Sequence, residues 1–338
     1  MIILRITSGL GNQMFQYAFY TLLKQKYNDT EVLCDTYWFN NNHENRKYEL
    51  EDIFLGVNGS QFEIKNAPLI KVISLSGKVP NLFNGKAGTV FNDIRRYINR
   101  ILKNNLLKKR QPYIIDELEG NISGKDQIWP DGTITNPLYD KVMTLDTSKD
   151  YYISGYFISE KYYSKVYEEV KKKLVFPEFT EQHNIDYASE IEMLDSVSIH
   201  VRRGDYLSDL YKDTFMVLGR EYYEQAVIRI RKEIDSICEK ENRKSNIKFY
   251  IFSDDADFVK KEFDWIDNKT IITENTGGKS FRDMQLMSMC KHNIIANSTF
   301  SQWGALLNKN EGHVTIYPKT YMKDEDNELK TLPGWIRI

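Results

Sequence analysis

The sequence of 338 residues predicts an α/β protein in two halves, residues 1–177 and 178–338. Three observations predict it. Short apolar runs rich in Ile and Val, each stopping at a glycine or a polar turn, alternate with longer runs whose apolar residues recur at helical spacing. Phe176-Pro177-Glu178-Phe179 interrupts that alternation, because proline pushes its predecessor out of the helical region. The length suffices for two cores of ordinary domain size. Alternation on both sides of Pro177 implies two α/β layers with a cleft between them.

Composition narrows the function classes. Lys and Arg number 46 against 48 Asp and Glu, a net charge of −2, so no global field recruits nucleic acid and any anion must meet a local site. Cys34, Cys238 and Cys290 lie far apart, without metal-type spacing or an even framework, as expected of a reduced cytosolic chain. The N-terminal run Met1-Ile2-Ile3-Leu4-Arg5-Ile6 is broken by Thr7-Ser8-Gly9 before any long apolar span can form, so neither a signal peptide nor a membrane anchor is expected. The 22 tyrosines suit sugar handling, although packing explains most such residues.

In chain order, Ile2 to Ile6 reads as a strand, Thr7-Ser8-Gly9-Leu10-Gly11-Asn12-Gln13 as a glycine loop, and Met14 to Leu23 as an amphipathic helix. That is the layout of a phosphate-cradling turn, and Asn12 and Gln13 add amides suited to sugar hydroxyls. It is equally the layout of a tight turn that starts a helix. A dinucleotide site, with Asp35 after the second strand (residues 31–34) as its ribose acid, is disfavoured by Met14, which stands at the third glycine position. Residues 36–90 read as polar and irregular, insertions around an acceptor site, with only short apolar runs such as Leu69 to Ile73. From Asn92 to Arg110, Ile94, Tyr97, Ile98, Ile101, Leu102 and Leu106 recur at helical spacing. Arg95, Arg96, Arg100, Lys103, Lys108, Lys109 and Arg110 fill the other face. Such a helix is either a solvated face or one that lies on an anionic membrane. Tyr151 to Tyr163 reads as a strand running into a helix that continues to Leu174.

The second half opens with a helix near Ile185 to Leu194, and then a strand in which Val197, Ile199 and Val201 alternate with Ser198, His200 and Arg202. It delivers His200, Arg202, Arg203 and Asp205 to its C-terminal end, where ligands of open α/β sheets sit. A guanidinium offers a fork of donors matching phosphate oxygens, with Asp205 orienting it; the alternative is a surface strand end with an ordinary ion pair. A helix from Arg220 to about Lys240 precedes the strand Ile247 to Phe252. Asp255-x-Asp257 resembles a metal-binding carboxylate pair, while Ser253 or Asp254 capping a helix at Phe258 to Phe263 is the favoured reading. Strands at 271–273 and 293–296 flank a helix at Phe281 to Cys290, and Ser298, Thr299 and Ser301 stand where the next helix begins, as anion ligands or as plain caps.

Together, Ser8-Gly9-Leu10-Gly11-Asn12-Gln13-Met14-Phe15-Gln16-Tyr17-Ala18, His200-Val201-Arg202-Arg203-Gly204-Asp205-Tyr206, Phe252-Ser253-Asp254-Asp255 and Asn297-Ser298-Thr299-Phe300-Ser301 resemble the α-1,2-fucosyltransferases of glycosyltransferase family 11, in the family's order along the whole chain. Tyr48-Glu49-Leu50 and Gly155-Tyr156-Phe157 are weaker echoes, and Gln302 departs from the tryptophan common at that position.

The resemblance implies a GT-B architecture, with two Rossmann-like domains facing a central cleft. Residues 1–177 would lie mainly on the acceptor side, and 178–338 would bind the donor. The donor would be GDP-β-L-fucose, transferred with inversion and without a metal ion or other cofactor. The acceptor would be a terminal galactose or similar sugar of a bacterial surface oligosaccharide, lipid-linked in one version. Assembly would take place in the cytoplasm, with peripheral contact to the inner membrane a further expectation. By position, Arg202, His200 and Asp205 would serve catalysis. Gly9, Gly11, Asn12, Gln13, Arg203, Asp254, Ser298, Thr299 and Phe300 would face the donor, and Asp283 would read guanine. Asp209 and Asp213 are candidates for the base that takes the acceptor's proton.

Overall fold

The computed structural model describes all residues except 42–45, 57–60, 83–84, 103–112, 119, 121, 129–133 and 324–331. The chain divides into two compact units, Met1–Pro177 and Glu178–Ile338.

In the first unit, β1 (Ile2–Arg5) leads through Ser8 and Gly9 into α1 (Leu10–Lys26), and β2 (Val32–Asp35) follows. Next come α2 (Leu50–Ile53), α3 (Leu69–Ser76), α4 (Gly85–Leu102) and β3 (Ile114–Asp116). An antiparallel ribbon of β4 (Gln127–Ile128) and β5 (Ile134–Thr135), α5 (Pro137–Val142), β6 (Tyr151–Ser154) and α6 (Tyr167–Lys173) complete the unit. Its main sheet is parallel, ordered β2-β1-β6-β3. Near-continuous burial on both faces of β1, β2 and β6 fits the parallel arrangement.

Three sequence expectations fail here. The stretch 36–90 holds three helices or parts of them, and the run at Leu69 is α3: Pro68 precedes its first turn and Gly77, at φ 68°, closes it in the left-handed region. The strand at Tyr151 does not run into one helix. Phe157 takes a left-handed φ of 55°, short 3₁₀ turns occupy Glu160–Tyr162 and Ser164–Val166, and only then does α6 begin. The basic helix starts ahead of Asn92, at Gly85, and Lys103, Leu106, Lys108, Lys109 and Arg110 lie outside the described residues.

The second unit runs α7 (Gln182–Met193), β7 (Asp195–Val201), α8 (Arg220–Lys240), β8 (Ile247–Ser253), α9 (Ala256–Glu262) and β9 (Lys269–Ile272). It continues with α10 (Phe281–Met289), β10 (His292–Ile294), α11 (Thr299–Leu306), β11 (Thr315–Tyr317) and β12 (Ile336–Arg337). All six strands are parallel, in the order β12-β11-β10-β7-β8-β9. From β7 the chain steps outward to β8 and β9, then returns to the other side of β7 for β10 to β12. The order reverses between β7 and β10, which is the doubly wound switch point.

Every residue of β7 is buried, so the strand is central and not the exposed strand end that alternation alone allowed. Val197, Ile199 and Val201 pack with Tyr223, Ala226, Ile230 and Ile234 of α8. Tyr250 and Phe252 of β8 pack on the opposite layer, against Ile191, Leu286 and Met287. Each such aliphatic side chain contributes about 1.5–3 kcal/mol on burial. At its N-terminal edge the unit is tied by Arg282, buried in α10, whose Nη2 donates to the Glu178 carbonyl at 2.9 Å and whose Nε lies 3.3 Å from Glu181.

Candidate active site at the switch point of the second sheet

β7 ends at Val201, so Arg202 emerges at the carboxyl edge of the sheet beside the strand to which the chain later returns. Its guanidinium is clamped from two sides: Nη2 donates to Asp205 Oδ2 at 2.6 Å, and Nη1 lies 2.9 Å from Asp254 Oδ2. Burial works against this charge. Asp254 and Asp205 more than offset it, leaving the guanidinium above its ordinary value. Each of these pairs uses one N–H, so about three of the five donors of the fork remain for an incoming anion.

Asp254 is held in turn by the backbone, accepting from the Arg203 amide at 2.9 Å. Gly204 must be glycine for this packing, because a Cβ there would lie 2.8 Å from Asp254 Oδ2 and 3.1 Å from its Cγ. Tyr206 closes the turn: its hydroxyl donates to the Asn297 carbonyl at 2.6 Å and its ring stacks on Phe215 at 4.4 Å. The loops after β7 and β10 are therefore joined. Asn297 is itself fixed by its amide, which donates to the Met216 and Tyr321 carbonyls at 2.7 and 2.8 Å.

Ser298 is the N-cap of α11 but accepts no capping hydrogen bond, so the first N–H groups of that helix lie without a side-chain cap after β10, at the carboxyl edge of the sheet where Arg202 emerges. Thr299 is its first helical residue and Phe300 its second; the Phe300 ring lies 5.8 Å from His200. His200 is buried, its Nδ1 has no hydrogen-bond partner, and burial, reinforced by Arg202, pushes its pKa down to about 3. It is thus neutral at physiological pH and supports the site as a packed, uncharged ring, not as a proton carrier.

Asp283, in the first turn of α10, accepts from Asn275 Nδ2 at 2.9 Å, and Asn275 is locked to Asn184 by reciprocal amide hydrogen bonds of 2.9 and 3.0 Å. Burial raises the Asp283 carboxyl to about 7, the Asn275 hydrogen bond opposing the rise. Such a carboxylate, poorly solvated and half supplied with donors, is primed for a ligand that brings N–H groups.

Other sequence candidates are placed elsewhere or otherwise. Arg203 is committed to Asp255 (3.2 Å) and stacks 3.5 Å over the Phe258 ring, so it holds the β8 turn and does not present its fork. Asp255, not Ser253 or Asp254, caps α9, accepting from the Phe258 amide at 3.1 Å; Asp257 is solvent-exposed, so the two do not converge on a metal. Asp209 faces solvent, paired with Lys212 at 2.6 Å, and Asp213 is exposed as well.

In the first unit, Gly9 is the N-cap of α1, with no side-chain cap. Gly11 is buried in the helix and Asn12 leaves its Oδ1 buried without a partner. Gln13 does not face a ligand. Its Nε2 donates to the Ser8 and Lys47 carbonyls at 2.9 and 2.8 Å, and its Oε1 accepts from the Glu49 amide at 2.9 Å. Gln16 does the same one turn on, accepting from the Thr7 amide (2.9 Å) and donating to the Gly155 carbonyl (3.0 Å), which ties the turns after β1 and β6 together. Glu117, at the end of β3, accepts from the Tyr156 amide at 2.7 Å, and burial holds its carboxyl above the usual range. Sequence reasoning missed Glu117, Gln16 and the Asn184–Asn275 pair. Only Gln16 carried a signal, a second amide one helical turn after Gln13.

The sequence profile of glycosyl transferase family 11 matches residues 79–338, which include every element of the Arg202 clamp. The chain belongs to glycosyl transferase family 11. It is therefore a glycosyltransferase, and its two α/β units on parallel sheets are of the GT-B class. It is 27% identical to the O-antigen biosynthesis glycosyltransferase WbnK of Escherichia coli, over 98% of this chain and 99% of that one. An α-1,2-colitosyltransferase of Escherichia coli is 28% identical over 100% of this chain and 99% of its own. Galactoside α-(1,2)-fucosyltransferase 1 of Sus scrofa is 26% identical over 42% of this chain and 38% of its own.

Proposed function

We propose that this family 11 enzyme transfers L-fucose from GDP-β-L-fucose, with inversion and without a metal ion, to the 2-hydroxyl of a terminal galactose or similar sugar on a bacterial surface glycan assembled at the cytoplasmic face. The observation that carries the reading is the Arg202 clamp beside the N-terminus of α11. As the bond from sugar to phosphate breaks, negative charge grows on the leaving diphosphate, and groups already aimed at it stabilise the transition state more than the ground state. Arg202 supplies fixed positive charge, and the α11 N–H groups with Ser298 supply neutral donors. The carboxylates that a metal would need, Asp205, Asp254 and Asp255, are each paired with a guanidinium, which supports a metal-independent step. Asp283 is suited to accept the ring N–H and exocyclic amine of guanine, donors that adenine cannot offer in that pattern. The relatives named for α-1,2 transfer and for O-antigen synthesis support the linkage and the glycan class.

A second donor, GDP-colitose, is favoured by one observation. Gln302 is fully buried in α11 with both amide atoms unpartnered, at the position where the family commonly carries tryptophan, and an α-1,2-colitosyltransferase is among the relatives. The test is release of GDP, with and without a galactoside, in EDTA, from GDP-fucose, GDP-colitose and GDP-mannose, for the wild type and Arg202→Ala. Acceptor-dependent release from GDP-fucose that survives EDTA and is lost in the variant supports the reading. Release from GDP-colitose alone would replace the donor, and release that requires a divalent ion would refute metal independence.

A further inference from the structure

Amphipathic helices normally turn their apolar stripe toward the protein. In α4 the stripe points away. Ile94, Tyr97, Ile98 and Ile101, spaced 3, 4 and 7 residues from the first, are 52%, 67%, 38% and 46% exposed. Of the fourteen large apolar side chains exposed among the described residues, five lie on this helix. The line that faces the protein is mostly polar: Asn92, Arg95, Asn99 and, at the end of the helix, Leu102 are its partly covered positions. Asn99 grips the backbone of Val79 with both ends of its amide, Oδ1 accepting from the amide at 2.7 Å and Nδ2 donating to the carbonyl at 3.1 Å. The helix is thus held by hydrogen bonds and presents a strip of isoleucine and tyrosine from Ile94 to Ile101, about 10 Å long.

The occupant of this strip follows from charge. Residues 85–102, which form α4, contain four basic side chains and one acidic, a net of +3, whereas the whole chain is −2 and the remainder therefore −5. Arg96 and Arg100 stand on the polar side of α4, roughly 110–150° around the helix from the apolar stripe; both are exposed, and Arg96 is paired with Asp93 at 3.2 Å. A second copy of the chain pairing helix to helix would bring two such segments together against their repulsion. An anionic bilayer offers an apolar layer to the isoleucines and phosphates to the arginines at once. Among the described residues no helix is long and apolar enough to cross a membrane, so the contact would be one that lies in the interface. We infer that α4 is a membrane-docking helix, which seats the first unit on an anionic lipid surface through Ile94, Tyr97, Ile98 and Ile101 with Arg96 and Arg100 at the headgroups.

The test is flotation of the full chain with vesicles of phosphatidylcholine alone and of phosphatidylcholine mixed with phosphatidylglycerol. It reads binding without turnover, so its failure is distinct from failure of the donor reading. Enrichment on the anionic vesicles of about tenfold or more over the neutral ones is expected, declining as salt screens the surface. Arg96→Glu with Arg100→Glu should abolish that enrichment, and Ile98→Asp with Ile101→Asp should lower it about tenfold or more on the same vesicles. All four side chains are exposed and outside the site at the switch point, so the variants should keep the wild-type melting temperature and GDP release on a soluble acceptor. Equal flotation on neutral and anionic vesicles, no flotation on either, or a dimer in solution that the isoleucine substitutions dissolve would each overturn the inference.

Discussion

Replacing Asp283 with Asn should make the ligand-free protein more stable and a poorer donor binder, and the two effects should separate by pH. The carboxyl loses its proton near pH 4 in the unfolded chain and near 7 in the folded one. As pH rises through that interval the unfolded state is progressively favoured, and above about 7 the cost is constant. Three pH units correspond to about 4 kcal/mol as an upper bound; the Asn275 hydrogen bond and partial solvent access reduce this to roughly 2–4 kcal/mol. Asn has the same shape without the charge, so the stabilities of the two proteins in urea melts should nearly coincide at pH 3, diverge up to pH 7, and keep a constant gap above it, with the variant more stable. GDP binding should show the opposite trend. If the carboxylate accepts two guanine N–H groups, wild-type affinity falls as pH drops below 7, while the variant binds about 10²-fold more weakly at pH 8 and is indifferent to pH there. Melting curves that stay parallel from pH 4.5 to 8 would refute the idea of a carboxylate held short of solvation.

If Arg202 meets the diphosphate as proposed, Arg202→Ala should lower turnover by more than about 10³-fold, because it removes that charge and leaves Asp205 and Asp254 unneutralised. Arg202→Lys should restore the charge but little of the rate, as measured by GDP release, since a point charge cannot span both carboxylates and a phosphate. Gly204→Ala should displace Asp254 and cost about 10-fold or more in turnover, with a small change in melting temperature. Gln16→Ala should destabilise the first unit by about 2–4 kcal/mol in urea melts, since a buried N–H and a carbonyl lose their partner together. A loss below about 0.5 kcal/mol would mean that water replaces the amide.

The features of the switch-point site were legible where local pattern and local geometry coincide. β7 alternates, stops at Gly204, and places Arg202 and Asp205 three residues apart, close enough to pair whatever the rest of the chain does. Asp254 is indicated by the resemblance, to which Phe252-Ser253-Asp254-Asp255 contributes, but its grip on Arg202 depends on β8 lying beside β7, which no short window encodes. Gln13 shows the converse. An amide in a glycine loop looks like a ligand for sugar hydroxyls, and only the return of residues 47–49 reveals that the backbone consumes it. α3 was overlooked although Pro68 and Gly77 punctuate it, because scattered polar residues around it outweighed an eight-residue signal. Asp283 is indicated by the resemblance alone, and its network is not legible in any short window: Asn184 and Asn275 are 91 residues apart in sequence.

The reversal of strand order between β7 and β10 also dictates when the site can exist. Val197 pairs with His292 and Ser198 with Asn293, partners 95 residues apart in sequence. Joining them closes a long loop, an entropic cost that must be met before the contacts repay it. During synthesis Arg202 leaves the ribosome well before Ser298, and Asp254 reaches it through the nearer pairing of β7 with β8. The nascent chain can thus assemble the cationic clamp early, while the neutral donors of α11 and the bridge from Tyr206 to Asn297 arrive last. The competent site is a late product of folding, carried by the slowest contacts of the sheet.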